Sequence, residues 1–123
     1  MAYKVLVVDD EREVLQVVEG LLLSMGYEVF TANNSDKATR LFESKKPDLV
    51  ISDVVMPGLS GPMLADKLRE LNPKTKVLFM SGYDHSQVVQ RYVVKQGFHL
   101  IAKPFNMIDL KTAVETSLQE TIT

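Results

Sequence analysis

Strand-like and helix-like segments alternate along the whole of this 123-residue chain. The first strand-like segment, Lys4–Val8, is a short run rich in β-branched residues. The apolar residues after it recur at i, i+3, i+4, i+7, i+8 and i+11, a spacing that predicts one buried helix face: Val14, Val17, Val18, Leu21, Leu22 and Met25. Gly26 stands where this helix is expected to end. Such alternation is typical of an α/β fold on a parallel sheet.

Four more strand–helix pairs repeat the pattern. Strands are predicted over residues 27–32, 48–52, 76–80 and 98–102. Helices are predicted after Asn33 or Asn34, between Gly61 and Asn72, over residues 85–96 and from about Asn106. Their predicted buried residues are Ala38, Leu41, Phe42, Leu64, Leu68, Leu71, Leu110, Ala113, Val114 and Leu118. Five βα units with short connections predict a (βα)5 fold, a doubly wound parallel five-stranded sheet with helices on both faces, in a single domain over residues 1–123.

Composition excludes several classes of function. The net charge is −2 and Lys and Arg form no run, which argues against a nucleic-acid or membrane partner. The chain has no cysteine, so disulfides, thiol catalysis and cysteine zinc sites are excluded. No apolar run approaches the roughly 20 residues that span a bilayer, and the N-terminus lacks a signal-peptide pattern. We therefore expect a soluble, cytoplasmic protein.

Chemically active side chains stand at the carboxyl ends of the predicted strands: Asp9, Asp10, Asp53, Ser81 and Lys103. In a doubly wound sheet, ligands bind at this edge, so these side chains are expected to share one small area. Taken singly, each has an ordinary explanation as a helix cap, a turn former or a solvated side chain. Three converging carboxylates, however, raise one another's pKa values unless a cation lies among them.

Oxygen ligands without imidazole or thiol suit Mg²⁺, which commonly binds one or two carboxylates together with a substrate phosphate. Asp53 is then a suitable nucleophile, because a carboxylate can form an aspartyl phosphate. Lys103 would supply positive charge to a phosphate oxygen, and Ser81 would donate a hydrogen bond to another. These residues predict phosphoryl transfer onto Asp53 in the presence of Mg²⁺.

Four motifs resemble those of the receiver domain of bacterial two-component response regulators: VVDD at 7–10, SDVVMPGLSG at 52–61, MSG at 80–82 and KPF at 103–105. The resemblance extends from Lys4 to about Leu118. It implies a flavodoxin-like, CheY-like fold with strand order 2-1-3-4-5. It also implies that Asp53 accepts a phosphoryl group from a histidine kinase or phosphotransfer protein, and that the domain then switches conformation.

The resemblance further assigns roles within the site. Asp10 and Asp53 would bind Mg²⁺ directly, Asp9 through water, and Val55 through its backbone carbonyl. The peptide bond between Lys103 and Pro104 would be cis, an isomer that needs a structural demand. A homodimer or an effector would contact the face made by the fourth predicted helix, the fifth strand and the last helix.

The sequence departs from the family pattern at Leu100 and in the spacing of Gly97, which lies one residue closer to Leu100 than usual, and it shows further particular features. Leu100 occupies the place of the usual aromatic switch residue, so an aromatic movement coupled to Ser81 is not expected in its usual form. Val55 and Tyr83 would obstruct an attacking water and predict a moderately long-lived phospho-state. The segments VLFMSGYD and GFHLIAKPF resemble receivers attached to hybrid sensor histidine kinases. We interpret the chain as a fragment of such a protein rather than a stand-alone regulator.

Three alternatives compete with this interpretation. A flavodoxin-like nucleotide or flavin domain would cradle phosphate on a Gly, Ser or Thr-rich loop, where this chain has the acidic sequence DDER at 9–12. A haloacid dehalogenase-type phosphatase would carry a second Asp at the position of Val55. A degenerate receiver would fold without being phosphorylated and act as a protein-interaction module. All five site positions hold family-compatible residues, which favours the phosphorylated form.

Overall fold

The computed structural model describes residues 2–54, 60–82, 94–95 and 97–119. Five strands form one parallel sheet: β1 (Lys4–Val8), β2 (Glu28–Ala32), β3 (Leu49–Asp53), β4 (Val77–Ser81) and β5 (His99–Ala102). Their order is β2-β1-β3-β4-β5, which confirms the predicted order. The observed strands begin one residue later than predicted, apart from β1, and β3 and β4 extend to Asp53 and Ser81.

Four helices accompany the sheet in the described part of the chain: α1 (Arg12–Ser24), α2 (Ser35–Lys45), α3 (Gly61–Leu71) and α4 (Met107–Gln119). The helix predicted over residues 85–96 lies outside the described residues, except for Val94 and Lys95, which are helical. No helix of the described ranges is both long and apolar enough to cross a membrane.

Apolar side chains cover both faces of the sheet. Successive residues of a strand point to opposite faces, so a strand buried on both sides is apolar throughout. In β1, Val5 and Val7 join a core that also contains residues of α1 and α4, whereas Leu6 and Val8 join a core with residues of α2 and α3. The continuous apolar runs of the sequence therefore correspond to a sheet between two helical layers.

Two residues expected in the core are exposed. The apolar periodicity predicts Val17 on the buried face of α1, yet 60% of its surface is accessible and Leu15 is buried instead. At about 100° per residue, Val17 lies about 200° around the helix from Leu15 and so faces away from the sheet. Leu71, the last residue of α3, is 50% exposed because the helix ends as it leaves the core.

Side-chain caps define where two helices begin. The Asn34 side chain accepts a hydrogen bond from the Lys37 backbone N–H at 2.8 Å, so Asn34 caps α2. The Ser60 hydroxyl accepts one from the Met63 N–H at 3.3 Å at the start of α3. Such caps satisfy backbone donors that have no partner within the helix. The Gly61 N–H donates to the Val54 carbonyl at 2.9 Å, which places the first turn of α3 against the end of β3.

Candidate functional site

The site is built on the carboxyl ends of neighbouring strands. Asp9 follows β1, and its backbone N–H donates to the Ala32 carbonyl of β2 at 3.2 Å. Asp53 is the last residue of β3, next to β1 in the sheet. Lys103 follows β5, and its backbone N–H donates to the Ser81 carbonyl at 2.7 Å. Backbone hydrogen bonds therefore fix the positions from which these side chains project.

Three carboxylates meet at this edge. One oxygen each of Asp9, Asp10 and Asp53 lies within 4.8 Å of the others. Asp9 and Asp53 are buried, whereas Asp10 is exposed. The cluster predicted from strand order is thus assembled, and solvent reaches it on the side of Asp10.

Lys103 supplies the positive charge of the cluster. Its Nζ lies 2.9 Å from Oδ2 of Asp9 and 3.6 Å from Oδ2 of Asp53, and 18% of its side chain is exposed. Burial lowers the pKa of Lys103, but the hydrogen bond to Asp9 and the charges of Asp53, Asp9 and Glu11 raise it, and the net pKa is above its usual value. Lys103 therefore remains a cation at neutral pH.

Both oxygens of Asp9 are engaged. Oδ2 accepts the hydrogen bond from Lys103, and Oδ1 accepts one from the backbone N–H of Glu11 at 2.9 Å. The sequence analysis assigns Glu11 no part in the site, although an Asp side chain commonly accepts a hydrogen bond from the backbone N–H two residues further on. Asp9 consequently holds the ammonium group of Lys103 near Asp53.

Ser81 and Leu100 lie on the neighbouring strands β4 and β5. Ser81 is buried and ends β4, opposite Ala102 in the register of β5. Leu100 pairs with Phe79 in that register and packs against the core that contains Phe79 and Phe98. Leu100 therefore has an aromatic neighbour within the core, although it is not aromatic itself.

Other expectations have different outcomes. The Lys103–Pro104 peptide bond is cis, as the resemblance implied. Val55, Met56–Gly58 and Tyr83 lie outside the described residues, so their expected roles remain predictions. On the face expected to bind partners, Val94, Met107 and Ile108 are exposed among the described residues, and the rest of the predicted fourth helix is not described.

The ligand chemistry of the cluster fits a hard divalent cation. Its three candidate ligands are carboxylates, and they lie close enough for one ion to contact more than one of them. Carboxylate oxygens suit Mg²⁺ or Ca²⁺, and Mg²⁺ fits better where some positions are left to water and phosphate. The residues present are therefore compatible with the magnesium ion that the sequence predicted.

A family model described as the response regulator receiver domain matches residues 5–115. The sensor kinase CckA of Brucella abortus (strain 2308) is 35% identical over 118 residues, which cover 94% of this chain and 12% of CckA. The chain spans 12%, 27%, 25% and 24% of the lengths of the first four curated relatives it matches.

Solved structures show the same architecture. A response regulator receiver domain protein from Clostridium thermocellum is 32% identical, with a TM-score of 0.86 and coverage of 96% of this chain and 94% of that chain. NtrX from Brucella abortus is 31% identical, with a TM-score of 0.89 and coverage of 97% of this chain and 27% of that chain. Both similarities extend over nearly the whole sheet and its helices.

Proposed function

The chain belongs to the response regulator receiver domain family, and from that premise we propose that Asp53 is the residue that accepts the phosphoryl group. The chain is a receiver of two-component phosphorelay signalling. The observation that carries the assignment is the position of Asp53: its carboxylate lies in the acidic cluster, 3.6 Å from the ammonium of Lys103. A carboxylate can act as a nucleophile and form an aspartyl phosphate, and the nearby ammonium can offset negative charge on the transferring group.

In the proposed reaction, one carboxylate oxygen of Asp53 attacks the phosphorus of the donor. A new O–P bond forms, the bond from phosphorus to the donor's leaving atom breaks, and its electron pair stays with the leaving group. The ammonium of Lys103 offsets negative charge on the transferring phosphoryl oxygens, and the Ser81 hydroxyl donates to one of them. Asp9 acts through Lys103, whose Nζ it binds at 2.9 Å.

We propose Mg²⁺ as the cofactor, held by Asp10 and Asp53 directly, by Asp9 through water and by the Val55 carbonyl. When bound, the ion would supply positive charge to the phosphoryl oxygens. The grouping of Asp9, Asp10 and Asp53 supports this assignment. Attack of water on the aspartyl phosphate would release the phosphoryl group. The chain would then catalyse only its own phosphorylation and dephosphorylation.

We propose that a histidine kinase or phosphotransfer protein is the donor. The exposure of Asp10 supports this, because a partner must approach the cluster from the solvent side. A homodimer or effector contact is proposed on the face that includes Val94, Met107 and Ile108, whose exposed apolar side chains a partner could cover. The proposed location is the cytoplasm, a reducing compartment that a chain without cysteine fits.

The test is phosphorylation in solution. The purified chain is incubated with Mg²⁺ and acetyl phosphate, and intact-mass spectrometry measures the addition of one phosphoryl group. Asp53→Asn is the matched variant. In a parallel sample of the wild type, EDTA replaces Mg²⁺. We expect a Mg²⁺-dependent adduct that is labile in base and missing from the variant.

Either outcome is informative. An adduct on the wild type and none on Asp53→Asn supports the assignment and moves the question to the partner. A folded wild-type chain without an adduct would contradict it and would favour the degenerate receiver. An adduct that persists in Asp53→Asn would place the acceptor on another residue.

A further inference from the structure

Gly61, the first residue of α3, lies directly behind the proposed acceptor. It is buried, and its backbone N–H donates to the Val54 carbonyl at 2.9 Å. This bond ties the start of α3 to the residue that follows Asp53. The first turn of the helix therefore packs against the end of β3.

There is no space for a side chain at Gly61. An ideal Cβ added there would overlap the backbone carbonyl oxygen of Asp53. It would also lie 2.9 Å from Cε1 of Phe79 and 3.0 Å from Cα of Val54. Two of these three atoms belong to the backbone of β3 and its extension, so a side chain fits only if that backbone or α3 moves.

Phe79 closes the other side of this contact and is itself confined. It is completely buried in β4, and its ring packs edge-to-face against Phe98 with centroids 5.0 Å apart. The Arg69 guanidinium lies 4.3 Å from the Phe98 centroid, and Arg69 Nε donates to the Thr75 carbonyl. Because protein cores are close-packed, Phe79 has little room to yield.

From these contacts we infer that Gly61 is a positioning residue for phosphorylation: Gly61, braced by Phe79, sets the position of the Asp53 peptide and therefore of its carboxylate. The inference rests on the proposed role of Asp53. Displacement of the Asp53 peptide would change the 3.6 Å separation between Asp53 and Lys103. The hydrogen bond between Lys103, which follows β5, and Asp9, which follows β1, would stay in place. In-line transfer is sensitive to displacements of this kind.

The experiment compares phosphorylation rates of the whole chain at saturating Mg²⁺ and acetyl phosphate. We expect Gly61→Ala to slow phosphorylation by about tenfold or more, since a shift of about 1 Å can cost two orders of magnitude. Gly20→Ala is the matched control, because an added Cβ there meets nothing within 4 Å. Circular dichroism establishes that both variants are folded.

A second pair of variants decides the question if Gly61→Ala does not fold. Phe79→Leu removes the brace, and Phe42→Leu makes the same change elsewhere in the same core, on α2. We expect only Phe79→Leu to slow phosphorylation, by about threefold or more, while both lower the unfolding midpoint. Equal rates in these two variants, or a folded Gly61→Ala within twofold of wild type, would overturn the inference. A wild-type chain that takes no phosphoryl group would instead overturn the proposed function, and the inference with it.

Discussion

Asp9 is a buried carboxylate in a cluster that contains two more carboxylates. Burial of a charge is unfavourable unless hydrogen bonds and an opposite charge replace the lost hydration. The backbone N–H of Glu11 and the ammonium of Lys103 do so here, each at 2.9 Å. At the scale of single residues, Lys103 is therefore expected to stabilise the fold as well as to take its proposed part in phosphoryl transfer.

Lys103→Met keeps most of the side-chain volume but removes the hydrogen bond and the positive charge beside Asp9 and Asp53. We expect the free energy of unfolding in metal-free buffer to fall by about 1–3 kcal/mol, because a buried charged acceptor loses its partner. Urea unfolding at neutral pH measures the change.

Lys67→Met is the control for this prediction. Lys67 is an exposed lysine of α3, and its replacement is expected to change stability by no more than about 0.5 kcal/mol. If Lys103→Met and Lys67→Met are equally stable, then Lys103 does not compensate the charge of Asp9.

At the scale of elements, the helix that follows the first strand of the site ends at a position that requires a positive φ. The end of α1 shows this: Met25 is its cap and Gly26 follows with φ of 92°. L-residues other than glycine reach such φ values only at a cost, because Cβ approaches the carbonyl oxygen. Gly26 thereby turns the chain from α1 into β2, next to β1 in the sheet.

Two glycines of this region are expected to respond in opposite directions. An added Cβ at Gly20, within α1, or at Gly26 meets nothing within 4 Å, so steric overlap does not distinguish them. Gly20→Ala should raise the free energy of unfolding by about 0.5–1 kcal/mol, since alanine favours helix. Gly26→Ala should lower it by about 1–2 kcal/mol, since its φ is positive. Urea unfolding of both variants checks this, and changes of the same sign would contradict it.

At the scale of the whole molecule, the strand order creates the site. β1 and β3 are adjacent in the sheet although β2 and α2 separate them in the chain. Ligand sites of doubly wound sheets lie where the strand order reverses, and here Asp9 and Asp53 flank that point. This arrangement places three mutually repelling carboxylates together, and the single positive charge of Lys103 offsets that repulsion only partly.

Magnesium is therefore expected to stabilise the whole fold. A ligand that binds only the folded state at 100 times its Kd adds about 2.7 kcal/mol. We predict that Mg²⁺ raises the unfolding midpoint of the wild type relative to EDTA at equal ionic strength. Asp10→Ala should lose most of this increment and, in EDTA, be at least as stable as the wild type because one repulsive charge is gone.

Asp66→Ala is the matched control, since Asp66 is an exposed acid of α3 that is not in the cluster. It should keep the full Mg²⁺ increment. An equal increment in Asp10→Ala and the wild type would show that Mg²⁺ acts outside the cluster.

Much of the fold could be predicted because the local periodicity of a strand or helix reports its own environment. The apolar run Lys4–Val8 predicted a strand buried on both faces, and the two cores confirm it. Boundaries and helix faces were less determined: Val17 and Leu71 are apolar but exposed. More than one apolar residue of a helix can fit the periodicity of a buried face. Only the orientation of the packed helix decides which of these residues is covered.

For the site, the residue types and their places at strand ends were determined by the sequence, because parallel strands bring their carboxyl ends to one edge. Tertiary structure alone decided how their charges are arranged. The pairing of Lys103 with Asp9 at 2.9 Å, rather than equally with Asp53, joins residues 94 positions apart. The close approach of Gly61 to the Asp53 carbonyl likewise depends on how α3 packs against β3 and Phe79. Local periodicity carries no information about distances between segments, which only the packing of the whole chain sets.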